Sequence, residues 1–197
     1  MYTGIIVRNG IRKENRIMLW AIGGIVAFIL ILVIAWISMA NGIKVANLKC
    51  DEALSGIDVA LTKRYDVLTK MVDVVKGYQK HEVETLTKIV QMRSNMSMAE
   101  RQDASNRMDQ LAGQIRILAE HYPELRSSQN FMALQTAIMD VEEHLQASRR
   151  LYNANVTAYN TKIVSFPSSL VAGSMGAVSR QFFEAEAQKR MDVPMNF

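Results

Sequence analysis

His81-Glu82 opens the His-Glu-x-x-His pattern, in which two imidazoles one helical turn apart bind zinc and the glutamate acts as base. Thr85 stands where the second imidazole belongs, so the ligand set is incomplete. A carboxylate-bridged di-iron bundle needs Glu-x-x-His on each of two helices. Three positions before His81, His121 and His144 stand Tyr78, Leu118 and Val141, none a glutamate. The single cysteine, Cys50, allows neither an intrachain disulfide nor a Cys-x-x-Cys metal site, and reads as a small buried thiol. Nucleophile-elbow, P-loop and dinucleotide-binding glycine patterns do not occur. Asn95-Met96-Ser97 and Asn155-Val156-Thr157 match the glycosylation sequon, a weak three-residue signal. The chain therefore reads as a non-enzyme with no catalytic, metal-ligating or cofactor-binding residues.

A different pattern does recur. Tyr152-Asn153 is followed seven residues later by Tyr159-Asn160. On a helix, positions seven apart return to within about 20° of each other, so the tyrosines share a face and the asparagines border it. The rings extend a stripe begun by Ile138 and Leu145 and ended by Phe166. The expectation is a register device: tyrosines in a helical core, and amides binding side chains of a neighbouring helix.

The elements carrying these residues are long helices. Ile17 to Ala40 is uncharged and mostly apolar, longer than the roughly 20 residues that cross a bilayer. Trp20 and Trp36 lie toward its ends, where indole rings favour the headgroup region; Phe28 lies mid-span, Gly23-Gly24 offers a close-packing point, and Met39 is near the end. Ser38-Met39-Ala40 has the small residues of a signal-peptidase site, but the apolar run exceeds the 7–15 residues of a signal peptide, so an uncleaved anchor is expected. Arg8, Arg12, Lys13 and Arg16 precede the span, and only Lys44 and Lys49 follow closely. The positive-inside rule then puts the N-terminus in the cytoplasm and the C-terminal part outside it.

Residues 1–43 hold four of the 23 basic residues and one of the 19 acidic ones, leaving 19 and 18 for the rest. Such a balanced surface lacks the basic footprint of a nucleic-acid binder. Beyond the span, Leu54, Leu61, Leu68 and Val75 recur every seven residues, predicting a helix over about 41–94, with a bend at Gly42 open. Met108, Leu111, Ile115, Leu118 and Tyr122 predict a second over 99–122, stopped at Pro123, and Ile138 onward a third over 129–166, stopped at Pro167. A short apolar element, 168–190, offers Phe182-Phe183 as an anchor. The expected architecture is all-α: a basic tail (1–16), a transmembrane helix (17–40), and an elongated antiparallel bundle of three to four long helices (41–197).

In order along the chain stand Ile57-Asp58 with Lys63-Arg64, Lys76-Gly77-Tyr78 with His81-Glu82, Tyr122-Pro123, the Tyr-Asn repeat, Phe166-Pro167 and a final Phe197. This ordered set resembles the LemA family of bacterial membrane proteins. The family's usual Ile-Pro-Asn-Leu-Val stretch is replaced here by Leu68-Thr69-Lys70-Met71-Val72, so no proline kink is carried over. The resemblance implies a single-pass anchor and a bundle of long helices, with the motif residues in structural roles. It also implies a link, in one branch, to magnetosome membranes, and a genomic association with membrane proteases. The functional expectation is a scaffold that self-associates and organises the bilayer; the alternative is an adaptor binding another envelope protein.

Overall fold

The computed structural model describes residues 3–78 and 96–184, with side chains from residue 18 onward. It is all-α, with no strand among the described residues. The helices are α1 (Thr3–Tyr78), α2 (Met98–His121), α3 (Pro123–Ser127), α4 (Gln129–Val164) and α5 (Ser168–Ser174). The stretch 79–94 of the expected first helix, His81, Glu82 and Phe197 lie outside the described residues. The chain divides into two units, residues 1–45 with 162–178, and residues 46–161 with 179–197.

Helix α1 starts at Thr3, well before the apolar span, and passes Gly42 without a break. One helical glycine costs only about 1 kcal/mol relative to alanine, and here the flanking turns are helical throughout. In the first unit, Ile43 packs away from solvent, as do Ile163 of α4 and Val171 and Ala172 of α5. Lys162 reaches Gly42 and donates its Nζ to the carbonyl at 3.2 Å. Helix α4 stops at Val164, and the Ser168 hydroxyl donates to the carbonyls of Lys162 and Ser165, binding the frayed end. Phe166 therefore does not continue the tyrosine stripe: the helix has ended, and the ring is 81% exposed ahead of the cis Pro167 bond.

Helix α5 is short because Gly176 adopts φ +64°, a left-handed conformation open to glycine. The Ala177 N–H then returns to the Ala172 carbonyl at 3.0 Å, closing the helix end. Beyond it the chain is non-helical through residue 184, so the expected apolar element 168–190 is, over its described part, a seven-residue helix followed by an irregular segment; residues 185–190 lie outside the described residues.

The second unit is a bundle of α1, α2 and α4 with the loop helix α3 at one end. Leu68, Met71, Val72 and Val75 of α1 meet Met108, Leu111, Ile115 and Ala119 of α2, sealed by Leu125 and Phe131. Ser97 caps α2 reciprocally: its Oγ accepts the Glu100 N–H, and the Glu100 carboxylate accepts the Ser97 N–H. Pro123 cannot continue α2 and drives Tyr122 out of helical geometry (φ −121°, ψ 87°), so α3 begins with the proline as its first residue.

Arg101 of α2 bonds Asp58 of α1, and the packing between these two helices continues to Val75. Between residues 47 and 57, α1 meets α4, where Asn155 donates to the Lys49 carbonyl at 3.0 Å. The irregular segment 179–184 occupies one side there as a strap, beginning against Asn47 and Asp51 and ending beside Gln102 of α2.

Candidate functional site

The polar groups of the second unit form two connected layers. The first lies inside the three-helix bundle. Arg64, 2% exposed, donates Nη1 to the Ser105 carbonyl at 3.1 Å and pairs Nη2 with Asp109 at 2.5 Å and with Glu142. One guanidinium thus ties α1 to both α2 and α4. Arg149 of α4 comes in from the other side, donating to the Ser105 hydroxyl. Burial, with Arg64 close by, pulls the Arg149 guanidinium below the usual arginine range, while Asp109 and Glu142 act against that. The Nε–H groups of Arg64 and Arg149 are both buried without a hydrogen-bond partner among the described residues. Six residues back along α1, Asp58 holds Arg101 of α2 with both carboxylate oxygens, at 2.6 and 2.9 Å, and this bonding holds the Arg101 pKa up.

The sequence carries a signal for this layer. Arg64 falls on the spacing Leu61-Arg64-Leu68, Arg101 on Arg101-Ala104-Met108, and Arg149 on Leu145-Arg149-Tyr152. Each arginine stands where the helix periodicity calls for an apolar residue, and a charge at such a position must find a partner inside. Glu142 of α4 supplies one of the answering carboxylates, paired with Arg64.

The second layer is the strap and its seat. Asn160 donates Nδ2 to the Arg180 carbonyl at 3.0 Å and accepts the Arg180 N–H at 2.9 Å. Asn153 makes the same pair with Phe183, at 3.0 and 2.8 Å. Between them the Tyr152 hydroxyl donates to the Gln181 carbonyl at 2.9 Å. The asparagines therefore bind backbone and not, as expected, a side chain on a neighbouring helix. The strap offers exposed peptide groups that no strand or helix partner satisfies, and an amide carries the one donor and one acceptor they require.

The strap's side chains complete the seat. Arg180 donates to Asn47 at 2.8 Å, pairs with Asp51 at 2.7 Å and lies over the Tyr159 ring at 6.0 Å. Phe183 is buried, with the Arg149 guanidinium 4.8 Å above its ring. Phe182, its neighbour, points outward. Cys50 is fully buried beneath; burial pushes its thiol up in pKa, and burial does the same to Tyr152, with Arg180 acting against both.

The other motif residues take plain roles. Ile57 is core, Lys63 is exposed, Lys76 meets Asp73 at 3.4 Å, Gly77 faces open space, and Tyr78 is the last residue of α1. His121 bonds the Ile117 carbonyl from an exposed position, and His144 is exposed. Among the described residues no group of three His, Cys, Asp or Glu side chains is placed to hold a metal. On the bundle's flank a cleft of about 370 Å³ is lined by Leu68, Met71, Ile115, Phe131, Ile138 and Met139, with Arg116 and Glu142 at its edge.

Helix α1 also carries an apolar stretch long enough to cross a membrane, none of it covered by the other described residues. Trp20, Phe28 and Trp36 are all exposed, and no atom lies within 4 Å of a Cβ built at Gly23 or Gly24. Met39 is partly covered, and the Ile17 side chain falls outside the description.

Residues 53–197, which hold the inner arginine layer and the strap with its two asparagine clamps, match the LemA family model. The chain belongs to the LemA family. It is 34% identical over 146 residues to Protein LemA of Metamycoplasma hominis, covering 72% of this chain and 67% of the relative. It is also similar to the magnetosome protein MamQ of Magnetospirillum gryphiswaldense, 25% identical over 71 residues, covering 36% of this chain and 26% of that protein. MamQ 1 of Paramagnetospirillum magneticum matches to the same degree over 72 residues. The LemA relative thus shares most of this chain, whereas this chain spans about a quarter of MamQ. LemA membership and the uncovered apolar window together support a membrane-associated protein.

Proposed function

We propose that the chain is a membrane-anchored scaffold, which self-associates through its helical part and organises the bacterial membrane in which α1 is embedded. The observation that carries this reading is the uncovered apolar length of α1, from Met18 to Ile37. Burying such a surface stabilises by roughly 25 cal/mol per Å², and among the described residues nothing buries it. Lipid, or lipid and further copies, supply the missing contacts. The four basic residues ahead of the span favour a cytoplasmic N-terminus and an extracytoplasmic bundle. The buried ionic layer and the capped, proline-stopped helices suit a rigid presenting element. The likeness to proteins named for the magnetosome adds to the membrane-organising reading.

Detergent extraction followed by mass photometry tests it. Species larger than one chain, growing with concentration, are expected; a strictly monomeric protein at every concentration removes the scaffold. A cytoplasm-only reporter fused after Phe197 should stay dark, and a bright one reverses the orientation.

A second reading, an adaptor for another envelope protein, draws on the flank cleft. It is apolar, edged by Arg116 and Glu142, and suits an apolar side chain from a partner. Cross-linking in intact membranes separates the two readings: the adaptor gives a discrete heterocomplex, whereas the scaffold gives adducts of the chain with itself.

A further inference from the structure

The strap is a peptide held in the manner of a bound ligand. Its hydrogen bonds among residues 180–183 go to Asn47, Gln102, Tyr152, Asn153 and Asn160, none of them near in sequence. Two of those residues, Asn153 and Asn160, each take the N–H and the carbonyl of one strap residue. Seven residues of helix advance about 10.5 Å. Three residues of nearly extended chain advance about 10 Å. The Tyr-Asn heptad therefore matches the interval from Arg180 to Phe183, and the strap runs antiparallel to α4. A slip of one residue breaks the match at one clamp or the other.

Two pockets add side-chain selection at the same two positions. Asn47, Asp51 and the Tyr159 face take an arginine, and a buried slot under Arg149 takes an aromatic ring three residues later. The residues between, Gln181 and Phe182, turn their side chains out.

We propose that the α1–α4 face under the strap is a binding groove for an extended Arg-x-x-Phe peptide, and that its alternative occupant is segment 179–184 of a second copy of the chain. The seat does not depend on which chain delivers the segment, because the hydrogen bonds of residues 180–183 to Asn47, Gln102, Tyr152, Asn153 and Asn160 all reach residues 20 or more positions away. Each copy carries one groove and the one hexapeptide shown to fill it, so exchange leaves every hydrogen bond satisfied. This rests on the self-association reading and supplies its joint: straps exchanged between neighbours link copies beside the membrane.

The test uses full-length protein in detergent. The chain carrying Arg180→Ala and Phe183→Ala, with helicity checked by circular dichroism, is titrated with a fluorescent, end-blocked peptide of residues 179–184. Saturable binding is expected. Binding to the wild-type chain should be at least about tenfold weaker, because the tethered strap competes at high effective concentration. A peptide with one glycine inserted between its glutamine and first phenylalanine should also bind at least about tenfold weaker than the native peptide. That control needs no change to the groove and so does not depend on how a groove variant folds. If the double substitution lowers helicity, Phe183→Leu alone replaces it.

The exchange itself is tested by mixing. The strap-defective chain is combined with a groove-defective chain, Asn153→Ala with Asn160→Ala, so that a seated strap can form only between unlike copies. A two-colour complex exceeding either chain's self-pairing supports the proposal. No saturable peptide binding to the folded strap-defective chain overturns the groove. Peptide binding without the mixed complex leaves a groove that closes only on its own strap and overturns the second copy as occupant. If wild-type and groove-defective chains form the same oligomers, self-association stands and strap exchange falls.

Discussion

Asn160 holds Arg180 by both of its peptide groups, at 3.0 Å through the carbonyl and 2.9 Å through the N–H, and the Arg180 side chain ends 2.7 Å from Asp51 on α1. A single strap residue thus joins α1 to α4. The asparagine and the arginine are a joint, each half incomplete without the other.

Replacing Asn153 and Asn160 together with alanine removes four hydrogen bonds and leaves strap peptide groups to solvent. At about 1 kcal/mol net for each bond, a loss of about 2–4 kcal/mol is expected if the strap unfolds with the bundle. Limited trypsin digestion reports the local event: cleavage after Arg180 should quicken in the variant, while α2 and α4 keep their protection. Unchanged melting and unchanged cleavage would contradict the clamp.

Arg64 is the hub of the inner layer, and removing it strands Asp109 and Glu142. Arg64→Ala should cost about 3 kcal/mol, the low end for breaking a buried pair, since both carboxylates retain some water. Arg64→Lys should also destabilise, because an ammonium cannot present the guanidinium fork to Ser105, Asp109 and Glu142 at once. Urea denaturation of both variants measures this, and a neutral Arg64→Lys would remove the fork from the account.

Burial raises the pKa of both Cys50 and Tyr152. In the unfolded chain a thiol titrates near about 8.5 and a phenol near about 10. As pH rises, the unfolded state therefore loses these protons first. The stabilisation is complete below about pH 8 and is lost as pH climbs through the raised folded values. Stability from chemical denaturation should fall above about pH 8.5. Tyr152→Phe should flatten the upper part of that fall.

The same burial makes Cys50 a poor thiolate. Ellman's reagent should label it slowly in the folded protein and at once in denaturant. Rapid labelling of the native chain would mean that the strap region opens easily.

Ser97 heads α2 with a reciprocal cap, and Ser97→Ala should cost about 1 kcal/mol. Thermal melting checks it, and a change below a few tenths would place that helix start outside the cooperative unit.

The helices were legible because their signals are local. The apolar spacing of Leu61, Leu68 and Val75, and of Met108, Leu111 and Ile115, puts those residues in the core, and Pro123 breaks the chain where it should. The Tyr-Asn heptad was visible as a pattern, but its partner was not. An asparagine at a seam serves a neighbouring side chain or a passing backbone equally well, and no helical period marks an irregular strap. Phe166 misled for the opposite reason: it keeps the seven-residue interval after the helix has ended at Val164. The inner arginines could have been found by asking why charges occupy stripe positions. Which carboxylates answer them depends on how α2 and α4 meet α1, and sequence spacing within one helix does not contain that.

The clamp grips peptide groups, so it is blind to most of what evolution can change between its jaws. Gln181 and Phe182 can drift among residues of almost any kind without loosening an amide bond. Proline is the exception: at 180 or 183 it would delete the N–H that Asn160 or Asn153 accepts. A strap of this design tolerates variation in its wording, provided that the punctuation stays in place.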